Sequence, residues 1–404
     1  MSTMKKILVV GAGAAGLNVA GRLRRLSPGL EVTLLDPAEF HYYQPLWTFV
    51  GAGVFPREHS QRPMRDLIPA GVHWVKDAAE QFLPEENAVV TRQGQRLAYD
   101  ALVVAPGLQI NWHLIPGLKE SLGRNGVCSN YSYESVSATW AQLEAFKSGR
   151  ALFTIPSTPI KCAGAPLKIM FLAEDHFRRT GIRQQCEVTY LSAGTAIFRA
   201  PKYAAELVKI AAARDINVQY KRELIALKPE SREAVFKDMD SNAELIEKYD
   251  LIHVTPPMGA LDVMKQSPLV DVGGWVEVDK STLQHMRYAN VFALGDGSSL
   301  PTSKTAAAIR AQGPVLVSNL LATLKGEKPA AIYDGYTSCP LITRYGRLML
   351  AEFDYQLEPS ETFPFDQARE RRSMYWLKKY VMPFIYWRGL VRGRRWPEPW
   401  PIAD

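Results

Sequence analysis

The sequence predicts an α/β fold: two Rossmann-like dinucleotide-binding domains followed by a C-terminal region of different character. Three observations predict it. A glycine-rich turn, Gly11-Ala-Gly13-Ala-Ala-Gly16, joins an apolar strand pattern to a helical one, and the next strand pattern ends in Asp36, 20 residues after the last glycine. A second strand-helix-strand pattern begins at Ala151 and runs to Tyr220. The end of the chain then mixes bulky aromatics with lysine and arginine. With 404 residues and 47% hydrophobic content, the chain is long enough for two or three domains with cores of their own.

The first unit opens with Lys5-Lys-Ile-Leu-Val-Val10, a short apolar run that stops at the glycine turn. Leu17 to Leu26 carry apolar residues at helical spacing, and Glu31 to Asp36 form the second strand. A GxGxxG alone is a weak signal. Between a strand and a helix, with an acid at the expected distance, it is a dinucleotide fingerprint: Gly11, Gly13 and Gly16 let backbone approach a pyrophosphate, the helix N-terminus stabilises its charge, and Asp36 accepts from a ribose hydroxyl. Two further apolar strands end in tight turns, Asp100 to Gly107 in Ala-Pro-Gly and Asn290 to Asp296 in Gly295-Asp296. Together with the fingerprint they resemble the three signatures of the FAD domain in the glutathione reductase-like flavoproteins, which carry two dinucleotide-binding domains. That resemblance implies FAD, with Asp296 on the ribityl chain and Gly107 and Gly295 in the turns around it. Lys304, in Thr302-Ser-Lys-Thr-Ala, is placed to put a positive charge beside the reduced flavin; its other reading is a solvated lysine at a helix start.

The second unit follows Ala151-Leu-Phe-Thr-Ile155 with a helix from Leu167 to Arg179 and strands at Cys186–Leu191 and Ile216–Tyr220. Relatives that use NAD(P)H need another glycine turn here. This chain has Pro156-Ser-Thr-Pro-Ile-Lys-Cys162 and, after the next strand, Ser192-Ala-Gly194-Thr-Ala. Without bare glycines a pyrophosphate meets side chains, so the nicotinamide site is degenerate and a cysteine loop stands in its place. Cys162 sits between glycine and two prolines, and Cys339 precedes Pro340 far downstream.

At Cys162, Cys339 and the missing nicotinamide turn, the sequence resembles the sulfide:quinone oxidoreductases, in the subgroup shared by mitochondria and some bacteria. The match runs through Tyr43-Gln-Pro-Leu-Trp-Thr, Pro159-Ile-Lys-Cys-Ala-Gly-Ala-Pro, His253-Val-Thr-Pro-Pro-Met, Leu300-Pro-Thr-Ser-Lys-Thr and Asp334-Gly-Tyr-Thr-Ser-Cys-Pro-Leu. The resemblance implies that Cys162 and Cys339 are a redox pair, joined directly or through a bridging sulfur. It further implies that Ala14, Ala15, Asp36, Gln44, Ala79 and Asp296 contact FAD. Sulfide would open the pair to a persulfide and a thiolate, with the persulfide-bearing cysteine unassigned. Electrons would pass through FAD to ubiquinone, and the sulfane sulfur to a small acceptor such as glutathione or sulfite. Two other readings remain at this level, a non-proton-pumping NADH:quinone oxidoreductase and a catalytically idle flavoprotein. Cys128 either joins the sulfur chemistry or is a buried thiol, and Cys186 opens a strand as core.

Four cysteines are too few for a disulfide scaffold, and no metal-ligand cluster is read. The net charge of +7 is concentrated: Arg369 to Arg395 hold nine basic residues against Glu370, which is +8, so the rest of the chain carries −1. A nearly neutral body argues against nucleic acid as partner. In the tail the longest uncharged run, Tyr380 to Trp387, is eight residues, short of the roughly 20 that span a bilayer. The expectation is a helix pair bent at Pro383 in the headgroups of an anionic membrane, against an aromatic flap packed on the body or on a second subunit of a homo-oligomer. Without a visible leader, the expected place is a bacterial inner membrane. The expected division is a discontinuous FAD-binding domain (1–115 and 265–330), a second Rossmann-like domain (116–264) and a quinone- and membrane-interaction region (331–404).

Overall fold

The computed structural model describes residues 4–394; Arg395 and the rest of the expected C-terminal region lie outside them. Two parallel sheets dominate. In the first, the strand order is Val291–Ala293, Ala101–Val104, Lys6–Val10, Glu31–Leu35 and Val72–Val75, every pair parallel. The second runs Val127–Cys128, Leu251–His253, Gly149–Ile155, Cys186–Ser192 and Ile216–Tyr220, again all parallel. Strands covered on both faces should read as apolar runs, and the central ones do: Ala101–Val104 is buried throughout. Val291–Ala293 returns to the first sheet after the whole second sheet has been built, and one buried cluster draws residues from both sheets while a second lies on the far face of the second sheet.

The helices close these sheets. Ala14–Leu26 follows the glycine turn, has no side-chain cap at its N-terminus, and ends with Arg24 and Arg25 against its negative pole. In the second unit the helix is Ala165–Arg179, two residues longer at its start than expected. The reason is Pro166, whose fixed φ and missing N–H suit a first turn. A hairpin, Thr337–Arg344 paired with Arg347–Phe353, lies against this helix, with Tyr345 N–H donating to Asp175. Its base is held by buried Glu352, which accepts from Tyr336, Thr362 and Gln367.

The tail is helical on both sides of the position expected to bend it. Arg372–Trp376, a π-helical turn Leu377–Val381, and Met382–Arg388 follow one another without a break. Pro383 lacks the N–H that would bond back to Lys379, and the widened turn immediately before it accommodates that loss. One side of this run packs inward through Met374, Lys378 and Tyr386, while Trp376, Tyr380 and Phe384 face outward at 61%, 47% and 51% exposure. The chain then docks on the first helix, where Asn18 donates to the Leu390 carbonyl at 2.8 Å. Among the described residues no helix is long and apolar enough to cross a membrane.

Candidate active site

One cavity of about 430 Å3 runs from the glycine turn to Cys162, behind which Cys339 is buried. Gly11, Gly13, Ala14, Ala15, Asp36, Gln44, Gly107, Asp296 and Lys304 line it at one end, Cys162 and Lys168 at the other. Gly16 lies beneath the turn, where a Cβ would stand 1.7 Å from the Gly11 carbonyl oxygen; no side chain fits. Gly295 sits behind Asp296, its N–H bonded to Gln312. Ala79 is the exception among the expected contacts. It starts the strand Ala79–Leu83, paired with Thr91, and does not line the cavity.

Asp36 accepts from the Ala12 and Ala38 N–H groups at 2.6 and 2.7 Å, which fixes its carboxylate beside the turn; burial raises its pKa against those bonds. Lys304 is not the solvated lysine of the alternative reading. Its ammonium donates to the Asp296 carbonyl at 2.5 Å and stands 3.9 Å from the Trp275 ring centre. Its own carbonyl accepts from Cys162 N–H at 3.0 Å, so the loop that carries the cysteine is stitched to the floor of the first unit.

Cys162 occupies the left-handed region, φ +55°, which is uncommon for a residue with a Cβ and aims its side chain into the cavity. Its sulfur is 3.7 Å from that of Cys339, across 177 residues of chain. Gly164 makes the approach possible, since a Cβ there would stand 2.4 Å from the Cys339 sulfur. Lys168 Nζ donates to Cys162 Sγ at 3.0 Å. The Cys339 thiol and then the Lys168 ammonium hold Cys162 well below the ordinary thiol range, against burial. Cys339 moves the other way, raised by the Cys162 thiolate and by burial. Burial opposes the charge of Lys168, but the two sulfurs outweigh it and raise its pKa.

Sequence reasoning missed the lysines. Lys168 had a signal, as the lone charge in the apolar run Pro166 to Ala173. Lys378 had none that separates it from Lys379. It reaches in from the tail, donates to the Pro45 carbonyl at 3.2 Å and lies 5.3 Å over the Phe49 ring. Burial and then Lys168 push its pKa down to about 7. Lys161 is pushed down to about 8 by burial, with Asp296 opposing. Tyr386 was also unread; its hydroxyl meets His41 Nε2 at 2.6 Å, and the other nitrogen of His41 meets the Ala12 carbonyl, tying the tail to the glycine turn. Of the other cysteines, Cys128 is sealed in a strand and raised to about 12 by burial, and Cys186 donates to the Ile182 carbonyl. Neither lines the cavity.

A pyridine nucleotide-disulphide oxidoreductase family model matches residues 5–141. The sulfide:quinone oxidoreductase of Mus musculus is 47% identical over 389 residues, 96% of this chain and 86% of that protein. The chain belongs to the sulfide:quinone oxidoreductase family. The Dictyostelium discoideum enzyme of that name is 48% identical over 98% of this chain and 87% of its own length. The solved sulfide:quinone oxidoreductase of Aquifex aeolicus shares the fold, with a TM-score of 0.79 at 17% identity over 98% of this chain and 93% of that one. The mouse and Dictyostelium proteins are named as mitochondrial, so the expectation of a bacterial inner membrane is not supported. FAD is the cofactor of this family, and the residues fit it: an uncapped helix N-terminus, glycines with no room for a Cβ, a fixed carboxylate and a cavity continuous with the cysteine pair.

Proposed function

We propose that this enzyme oxidises sulfide at Cys162 and Cys339, passes two electrons by way of FAD to ubiquinone, and delivers sulfane sulfur to a small acceptor such as glutathione or sulfite. The observation that carries this reading is the 3.7 Å meeting of two sulfurs, remote in sequence, one of which, Cys162, lines the cofactor cavity. In the oxidised enzyme the pair is joined by one S–S bond of about 2.05 Å, or by a bridging sulfur that spans the gap with two. Hydrosulfide attacks one sulfur, and the other leaves as a thiolate. Lys168 decides which: its ammonium stands on Cys162, so Cys162 is the better leaving group and the persulfide forms on Cys339. FAD, when bound, supplies the two-electron relay between the sulfur centre and quinone. The chain's own part is to hold the Cys162 thiolate at the cavity wall, and to narrow the cavity with Ala165 and the tail residues Met382 and Tyr386.

The tail supports both the quinone and the membrane reading. Its inner face closes the cavity with Met382 and Tyr386, and its outer face carries Trp376, Tyr380 and Phe384 between the exposed Arg372 and Arg388. Aromatic and basic residues so arranged suit the headgroup layer of an anionic membrane, from which a lipid-soluble quinone enters. Purified holoenzyme given sulfide and a soluble quinone analogue is expected to reduce the quinone, and the Cys162→Ser and Cys339→Ser proteins are expected to lose that turnover while keeping FAD. Full turnover in either variant overturns the reading.

A further inference from the structure

The tail reaches the glycine turn through one chain of hydrogen bonds, and chemistry fixes its direction. His41 Nδ1 lies 3.2 Å from the Ala12 carbonyl oxygen, which can only accept, so Nδ1 carries the proton. Burial pushes the His41 pKa down to about 4, so at neutral pH the ring has a single N–H and its Nε2 is an acceptor. The Tyr386 hydroxyl stands 2.6 Å from that nitrogen; burial raises its pKa, so it keeps its proton and donates it. The order is therefore Tyr386 O–H to His41 Nε2, then His41 Nδ1–H to the Ala12 carbonyl. Both residues line the cavity and are buried, at 4% exposure for His41 and 5% for Tyr386.

The Ala12 carbonyl belongs to the peptide that also carries the Gly13 N–H. That peptide is trans, so the two groups point to opposite sides, and holding one aims the other. Among the described residues nothing accepts from the Gly13 N–H, and a Cβ on Gly13 would meet no atom within 4 Å. We infer that Tyr386 and His41 are positioning residues for FAD: through this chain the tail sets the Ala12–Gly13 peptide, which meets the cofactor's pyrophosphate. The inference concerns how FAD is held and stands apart from the sulfide reading. The rest of the tail's grip falls on the helix after the same turn. Asn18 donates to the Leu390 carbonyl, and Gly21 leaves room for the Arg392 backbone, where a Cβ would stand 2.7 Å away. Tail docking and FAD binding therefore favour each other, because both stabilise one arrangement of the turn.

The test uses holoenzymes and two readouts: FAD release on dilution, followed by free-flavin fluorescence, and the phosphorus NMR resonances of the bound pyrophosphate. Tyr386→Phe removes the hydroxyl and keeps the ring that packs 4.3 Å from Tyr43. It should quicken release about tenfold and move the phosphorus resonances, leaving the flavin's visible band in place. His41→Leu should change both readouts more, and His41→Asn, whose amide nitrogen falls where Nδ1 stands, should recover part of each. Met374→Ala loosens the tail's buried side away from the chain, and should leave the phosphorus resonances unmoved. Unmoved resonances in Tyr386→Phe, or the same movement in Met374→Ala, overturn the inference. Should Tyr386→Phe hold no FAD, the FAD content of the two His41 variants decides: more in His41→Asn than in His41→Leu supports the chain, and equal contents overturn it.

Discussion

The two strand-to-helix corners of the molecule solve opposite problems with the same geometry. After Lys6–Val10 the chain turns on glycine into Ala14–Leu26 and offers bare backbone to an anion. After Gly149–Ile155 it turns through Pro156 to Gly164 into Ala165–Arg179 and offers a thiol and an ammonium. The first corner binds by what it lacks, and the second reacts by what it carries. Each still depends on one glycine where a side chain has no room: Gly16 under the first turn, Gly164 against the Cys339 sulfur.

The largest effects should come from the reacting corner. Cys162→Ser or Cys339→Ser is expected to lower sulfide-dependent quinone reduction about a thousandfold or more, since the two sulfurs act as a unit. Flavin absorbance should remain, because neither sulfur holds the glycine turn. Gly16→Ala tests the other corner. It should cost about 2 kcal/mol or more and yield protein depleted of FAD, read from the flavin-to-protein absorbance ratio. A variant that lost FAD through Cys339, or kept it through Gly16→Ala, would erase the distinction between the corners.

The glycine corner was legible in the sequence because the backbone requirement is local: three glycines and an acid at fixed spacing. The cysteine corner was legible as a departure, a loop where glycines were due, but its partner at Cys339 rested on resemblance. Their meeting depends on a hairpin laid across the helix Ala165–Arg179, and no local pattern encodes that contact. The lysines were missed for a related reason. Lysine is ordinarily a surface residue, and burial of Lys168 and Lys378 follows from what packs over them. The π-turn before Pro383 was not legible either, because proline in sequence does not announce a widened turn.

A smaller effect sharpens the reacting corner. Lys168→Met removes a charge that helps hold the Cys162 thiol low, so at neutral pH less thiolate forms; activity should fall roughly 10- to 100-fold and recover as pH rises toward the ordinary thiol range. A profile parallel to wild type at every pH would separate Lys168 from the thiolate. The smallest effect is expected at the outer face of the tail. Replacing Trp376, Tyr380 and Phe384 together by Ala should weaken sedimentation with anionic vesicles about tenfold or more while soluble-quinone turnover stays within about twofold. Unchanged sedimentation would make that face a packing surface.

The most direct measurement is anaerobic rapid mixing of the oxidised holoenzyme with sulfide and, separately, with NADH, followed by the flavin's visible absorbance. The account predicts fast bleaching by sulfide, its loss in Cys162→Ser, recovery of colour on adding quinone, and slow or no bleaching by NADH. Fast bleaching by NADH with none by sulfide would contradict it.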